Sequence, residues 1–213
     1  LYRGLEEMGL AESTLIVITS DHGEEFWDHA EAEFELGGDP RGIYGIAHGH
    51  SMFQEQLRVP LIFSGSPVAT GRQIDVPVSL VDVAPTVLDL LAEPAPDSVS
   101  GRSLRPHLDR RQTPVQEARP LYSESPAYGP ESWSLVVWPF KVILRGDEKA
   151  LLFNLEQDPL EQQDLSALEP ERLATMLDRL RAFQGRLQAS DPSTKMDIDE
   201  ETQEQLESLG YLE

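Results

Sequence analysis

Ser13-Thr14-Leu15-Ile16-Val17-Ile18-Thr19-Ser20-Asp21-His22-Gly23-Glu24 is the stretch on which the reading of this chain turns. Residues 14–19 form a continuous apolar run rich in β-branched side chains, without polar alternation. That pattern predicts a strand buried on both faces, as in a parallel sheet covered by helices. A polar turn follows at once. In open α/β sheets ligands bind beyond the carboxyl ends of the strands, so residues 20–24 stand where chemistry is expected. Asp21 offers a hard oxygen and His22 a borderline nitrogen, and a turn eased by Gly23 lets two adjacent side chains converge on one ion. The same residues also suit an Asp that caps the turn and a His at the surface. Spacing alone weighs these two readings equally.

Upstream, Leu1, Leu5 and Met8 recur on one helical face, and Gly9 stands where a helix stops. The chain thus reads as opening in mid-helix, which is the expectation for a fragment. Downstream, residues 26–50 are polar and glycine-bearing and read as one long loop, a length usually tied to function or disorder. The acidic run Asp21, Glu24, Glu25, Asp28, Glu31, Glu33 and Glu35 contains no Lys or Arg. It reads as a solvated face, with a site for a further hard cation as the alternative. Ala47-His48-Gly49-His50-Ser51 closes the loop. His22, His29, His48 and His50, four of the chain's five histidines, therefore fall between two strand candidates. Two histidines around a glycine suit metal binding or hydrogen bonds to an anion, although an isolated pair more often faces solvent.

A short helix is expected within residues 51–57, then a second buried strand over 59–65 with Pro60 at its first position. A shorter third strand is expected over 73–76. Val83, Val87, Leu88 and Leu91 have helical spacing, with Asp82 as N-cap and Pro85 in the first turn. Residues 93–120 are rich in Pro, Ser and Arg and read as a connector. From residue 121 the pattern changes. Strand candidates at 121–124, 133–138, 141–144 and 150–155 predict a small antiparallel sheet. Pro170 opens a helix whose stripe of Leu173, Met176, Leu177, Leu180, Phe183 and Leu187 predicts packing onto that sheet. A short helix is expected near 201–209, closed by Gly210.

Composition sets the outer bounds. The 213 residues include 38 acidic and 17 basic side chains, a net charge of −21. So acidic a surface repels phosphates, and no nucleic-acid partner is expected. No apolar run approaches the roughly 20 residues that span a bilayer, so no membrane segment is expected in this chain. With no cysteine, the chain holds no disulfide, thiolate metal site or cysteine nucleophile.

Several blocks, taken in order, resemble the type I sulfatases of the alkaline phosphatase superfamily. Residues 13–24 are similar to that family's metal-binding strand and turn. His48-Gly49-His50-Ser51, followed by Arg58-Val59-Pro60-Leu61-Ile62, resembles its next block. Val78-Ser79-Leu80-Val81-Asp82-Val83-Ala84-Pro85-Thr86-Val87-Leu88 resembles its "VSLVDLAPT" helix. Leu152-Phe153-Asn154-Leu155-Glu156-Gln157-Asp158-Pro159-Leu160-Glu161-Gln162 resembles the segment that ends its C-terminal sheet, and Glu204-Gln205-Leu206-Glu207-Ser208-Leu209-Gly210-Tyr211 a common bacterial ending.

The resemblance implies an α/β fold: a partial alkaline-phosphatase-like sheet with flanking helices, then a small C-terminal antiparallel sheet packed on a helix. It implies a catalytic-domain portion over 1–120 and a subdomain over 121–213. Asp21 and His22 would be ligands of one divalent cation, calcium, with magnesium, manganese or zinc as alternatives. His50, or His48 with the gap placed differently, stands where many members keep an anion-binding Lys. The nucleophile would be a formylglycine made from a Cys/Ser-x-Pro-x-Arg motif. That motif and two further acidic ligands belong to an N-terminal half absent from this sequence. The implied partners are that half and a sulfate ester, either a small molecule or a glycan. The 213 residues alone are expected to be inactive. His22 stands where the family often has Asn, and His is frequent in relatives acting on phosphate esters. The alternatives are therefore a phosphoethanolamine transferase, a phosphonate or phosphodiester hydrolase, or a binding relic without catalysis. A periplasmic, secreted or membrane-anchored location is implied by the family alone.

Overall fold

The computed structural model describes residues 1–66, 68, 71–109, 119–124, 126–146 and 149–190, with Thr202 and Gln205. Leu1–Leu180 forms one compact unit and Arg181–Glu213 a second. Among the described residues no helix is long and apolar enough to cross a membrane.

Helix α1 (Tyr2–Glu7) stops before Gly9, whose φ of +70° suits a residue without a side chain. Of its expected apolar face, Leu1 (93%) and Met8 (64%) are exposed and Leu5 is half-buried. Strand β1 (Ile16–Thr19) pairs with β4 (Leu61–Ser64), but antiparallel, not in the expected parallel sheet. The connection explains this. It does not cross back over a sheet face; it returns through local structure, and β4 runs home beside β1. The two strands are also not buried on both faces, since Ile18 and its cross-strand partner Ile62 are each 51% exposed.

The expected long loop is folded. β2 (Glu25–Phe26) pairs with β3 (Ile46–Ala47), and α2 (Ala30–Glu35) lies between them. The acidic run is not a uniformly solvated face, because Glu25 and Glu33 are buried. Glu33 is held by Arg145, 3.1 Å away. The short helix α3 (Gln54–Leu57) follows. Residues 73–76, expected as a third strand, join no ladder among the described residues.

Helix α4 (Val83–Leu90) forms as predicted, with Asp82 in the N-cap position as expected but without a side-chain capping bond there. The Asp82 side chain does not cap α4. It accepts the Ser79 N–H at 3.2 Å, closing a capping box with Ser79 around the 3-10 turn Leu80–Asp82. The same buried carboxylate accepts the Arg102 N–H and pairs with the Arg119 guanidinium. Helix α5 (Arg105–Leu108) lies within the expected connector.

The antiparallel sheet is a four-strand meander of β5 (Leu121–Glu124), β6 (Ser132–Val137), β7 (Phe140–Arg145) and β8 (Lys149–Asn154). Trp138 and Pro139, joined by a cis peptide bond, connect β6 to β7. Alternation along the strands divides two cores. Leu135, Val142, Leu144 and Leu152 pack on Met176 and Leu180 of α6 (Pro170–Ser190). Val136, Ile143 and Phe153 face the other way, onto Met52 and Phe53. The sheet thus packs on its predicted helix and also floors the His48–Ser51 segment. Leu187 and most of the expected helix near 201–209 fall outside the described side chains, although Thr202 and Gln205 are helical.

Candidate metal centre

The turn after β1 is built by short-range bonds. The Ser20 hydroxyl donates to the His22 carbonyl at 2.6 Å, and the His22 N–H donates to the Asp21 carboxylate at 3.0 Å. Two bonds then tie it to α3: Gly23 N–H to the Gln56 carbonyl at 2.8 Å and Glu24 N–H to the Glu55 carbonyl at 2.9 Å. This approach requires glycine. A Cβ on Gly23 would lie 1.9 Å from the Glu55 carbonyl oxygen.

The His48–Ser51 loop is held by the same helix. The Gln56 side-chain carbonyl accepts the Gly49 N–H at 2.9 Å, with the N–H groups of His50 and Ser51 each 3.4 Å away. As a result the His22 and His48 rings stack, their centroids 3.7 Å apart. His48 Nδ1 lies 2.9 Å from Glu24 Oε2. His22 Nδ1 lies 2.7 Å from the Gly23 carbonyl, so Nδ1 is the donor there and, in the neutral ring, Nε2 holds the lone pair. His22, Glu24 and His48 each bring one ligand atom into a group spanning no more than 4.8 Å. The side chains of His22, Glu24 and His48 are about 40% exposed, within reach of solvent. Asp21, more exposed, has its Oδ1 3.7 Å from His22 Nε2.

His50 goes elsewhere. It is 3% exposed, with Nε2 2.8 Å from Glu25 and 3.1 Å from the Gln56 amide nitrogen. Its Nδ1 faces Asp39 at 3.7 Å. The placement follows from pairing: Glu25 lies opposite Ala47, so its side chain enters the core on the side opposite Glu24. His29 is also buried. It stacks on Phe53, and its two ring nitrogens lie 2.8 Å from Glu55 and 3.0 Å from the Glu161 carbonyl. Burial opposes the charge on His29, but the bond to Glu55 and the nearby carboxylates outweigh it and raise its pKa above 6.5.

Below α3 lies a dry ion pair. Lys141 Nζ is 2.6 Å from Glu161 Oε1, and both side chains are fully buried. Burial pushes the Lys141 ammonium pKa down and the Glu161 carboxyl pKa up, and their mutual attraction opposes both shifts. The other Glu161 oxygen accepts the Gln54 N–H at 2.6 Å, satisfying the start of α3 from a residue far along the chain.

Sequence reasoning named Asp21, His22 and His48, which meet here. It named His50, which turns inward. It passed over Glu24 as one acid in a run; the signal was its place two residues after His22, as the chain becomes extended. It gave no role to Gln56 or Glu161, whose parts are visible only in three dimensions.

Residues 1–93 match the family model described as Sulfatase. Over this stretch the chain is similar to the sulfatase family. Arylsulfatase K of Xenopus laevis is 30% identical over 191 residues, covering 84% of this chain and 33% of that protein. The chain therefore spans about a third of the length of the curated relatives it matches. Among solved structures, BT4656, in complex with its substrate D-glucosamine-2-N,6-O-disulfate, superposes with a TM-score of 0.68 at 23% identity. It covers 91% of this chain and 38% of that one. The phosphonate monoester hydrolase SpPMH from Silicibacter pomeroyi superposes with a TM-score of 0.64 at 23% identity, covering 93% and 40%. The sulfatase fold is common to them, and a metal ion is general in the sulfatase family.

Proposed function

We propose that this chain carries part of the divalent-metal site of a sulfuric ester hydrolase. The observation that supports it most is the convergence of Asp21, His22, Glu24 and His48 at the end of β1, within the segment that matches the family. Two carboxylates and two imidazoles, all reachable from solvent, are a donor set that fits a divalent cation. In this reading Asp21 and His22 hold the cation, calcium by family resemblance. A cation held there would supply positive charge against the oxygens of the ester anion. His48, beside the ligands and half-exposed, presents an N–H to an ester oxygen and, when protonated, supplies a proton to the leaving oxygen. His50, with both nitrogens turned to carboxylates, fixes the loop that carries His48.

The chain has no cysteine and no Ser-x-Pro-x-Arg sequence. The formylglycine nucleophile of this reading therefore belongs to another part of the complete protein, as do the remaining acidic ligands. The boundary near residue 120, between a catalytic-domain portion and a C-terminal subdomain, belongs to this proposal as well. The substrate class is a sulfate ester.

A second reading rests on the His22, Glu24 and His48 group. Its two nitrogens favour a borderline ion such as zinc over calcium, which takes six to eight oxygens. That choice would go with a phosphate or phosphonate ester. One experiment separates the readings: elemental analysis and hydrolysis of aryl sulfate and aryl phosphonate by the complete protein and its Asp21→Ala variant. The expected result is calcium in the wild type, preference for the sulfate, and a loss above about a hundredfold with depleted metal in the variant. Full metal content in Asp21→Ala would remove Asp21 from the site. Zinc with phosphonate preference would install the second reading.

A further inference from the structure

Gln56 meets both halves of the metal centre, and neither the family match nor the chemistry proposed above gives it a role. It is 4% exposed on α3. Its backbone carbonyl takes the Gly23 N–H of the Asp21–His22 turn. Its side-chain carbonyl takes the Gly49 N–H between His48 and His50. Three N–H groups of the loop face that one oxygen, at 2.9, 3.4 and 3.4 Å, which fixes the orientation of the amide. The amide nitrogen is left beside His50. Turn and loop are far apart in sequence and share no strand pairing beyond the two residues of β2 and β3. We infer that Gln56 is a positioning residue: a two-sided staple that sets His48 against His22 and Glu24.

The inference rests on the metal-site reading only for its catalytic consequence. The geometric part stands by itself, because the oxygen of Gln56 either holds the loop or does not. The alternative is a side chain that merely fills space under the loop. Two substitutions separate these roles. Gln56→Met keeps the volume and removes the acceptor. Gln56→Glu keeps an acceptor oxygen in place and adds a buried charge. Neither touches the backbone bond to Gly23.

The test uses the complete protein. Amide hydrogen exchange at Gly49 should quicken at least about tenfold in Gln56→Met and stay near wild type in Gln56→Glu, while Gly23 keeps its protection in both. The kcat for an aryl sulfate should fall about ten- to a hundredfold in Gln56→Met, because His48 is no longer held beside the cation's ligands; where His48 itself ligates, as in the second reading, cation content falls with it. Gln56→Glu should retain more of both than Gln56→Met, even with the lower melting temperature. If Gln56 only fills space, the order reverses: Met keeps function, Glu loses it, and activity follows melting temperature. That reversal, or unchanged exchange at Gly49 in Gln56→Met, overturns the inference. A wild-type protein that binds no cation would instead defeat the metal reading, and exchange at Gly49 would still decide the staple.

Discussion

Between β1 and β4, Ile18 faces Ile62 and each is 51% exposed; between β6 and β7, Leu135 faces Val142 and both are dry. The local chemistry is alike: two apolar side chains opposite each other on antiparallel strands. What differs is cover. The four-strand sheet has α6 on one face and the segment carrying Met52 and Phe53 on the other. The two-strand pair has a face that no described residue covers. An apolar pair stabilises by the water it excludes, so within these 213 residues the second region provides rigidity and the first provides little. The half-exposed first region is also where His22, Glu24 and His48 stay within reach of solvent. The segment from His48 through α3 joins the two regions: it lies on the rigid sheet and holds the open turn.

Breaking the join should have the largest effect. Lys141→Met leaves the buried Glu161 carboxylate without its cation, beneath α3. We expect a loss of about 3–5 kcal/mol in urea unfolding, much of it recovered in the double variant Lys141→Met/Glu161→Gln, which still offers an acceptor to Gln54. A Lys141→Met variant as stable as wild type would show that the pair does not anchor the helix.

A smaller effect concerns pH, at His29 on the sheet side of the loop. Its pKa is raised in the folded protein, so the folded state holds the proton more tightly than the unfolded chain. The stability this contributes is complete below the unfolded value of 6.5 and is lost as pH rises through the folded pKa. Wild type should therefore lose its advantage over His29→Gln as pH climbs above 6.5, measured as the difference in urea midpoints. A constant difference across that range would mean that His29 does not titrate with folding.

The smallest effect belongs to the uncovered pair. In the 213-residue chain, Ile62→Thr keeps a β-branched residue on the strand and should change stability by no more than about 0.5 kcal/mol, since half of Ile62 is exposed there. A loss of several kcal/mol would show that this face is covered in solution and would erase the contrast between the regions.

The sequence by itself determined the local elements whose pattern is strong. The stripe of α6, the four strands after residue 120 and the apolar run of β1 follow from periodicity, because alternation and helical spacing are properties of neighbours along the chain. The Asp21–His22 turn was legible for the same reason, since a polar cluster directly after an apolar run needs no tertiary knowledge. The tertiary structure decided the rest. Whether β1 and β4 ran parallel depended on how residues 20–60 returned. Nothing within either strand records that path. His48 and His50 are equivalent in the sequence, two residues apart across a glycine. Pairing of β2 with β3 sent Glu25 inward, and the Gln56 oxygen bound Gly49, so His50 was buried and His48 left in reach of solvent. Glu161 and Gln54 lie too far apart in the chain for any pattern to link them. Their bond is a product of packing, in which a buried N–H must find an acceptor wherever the fold supplies one.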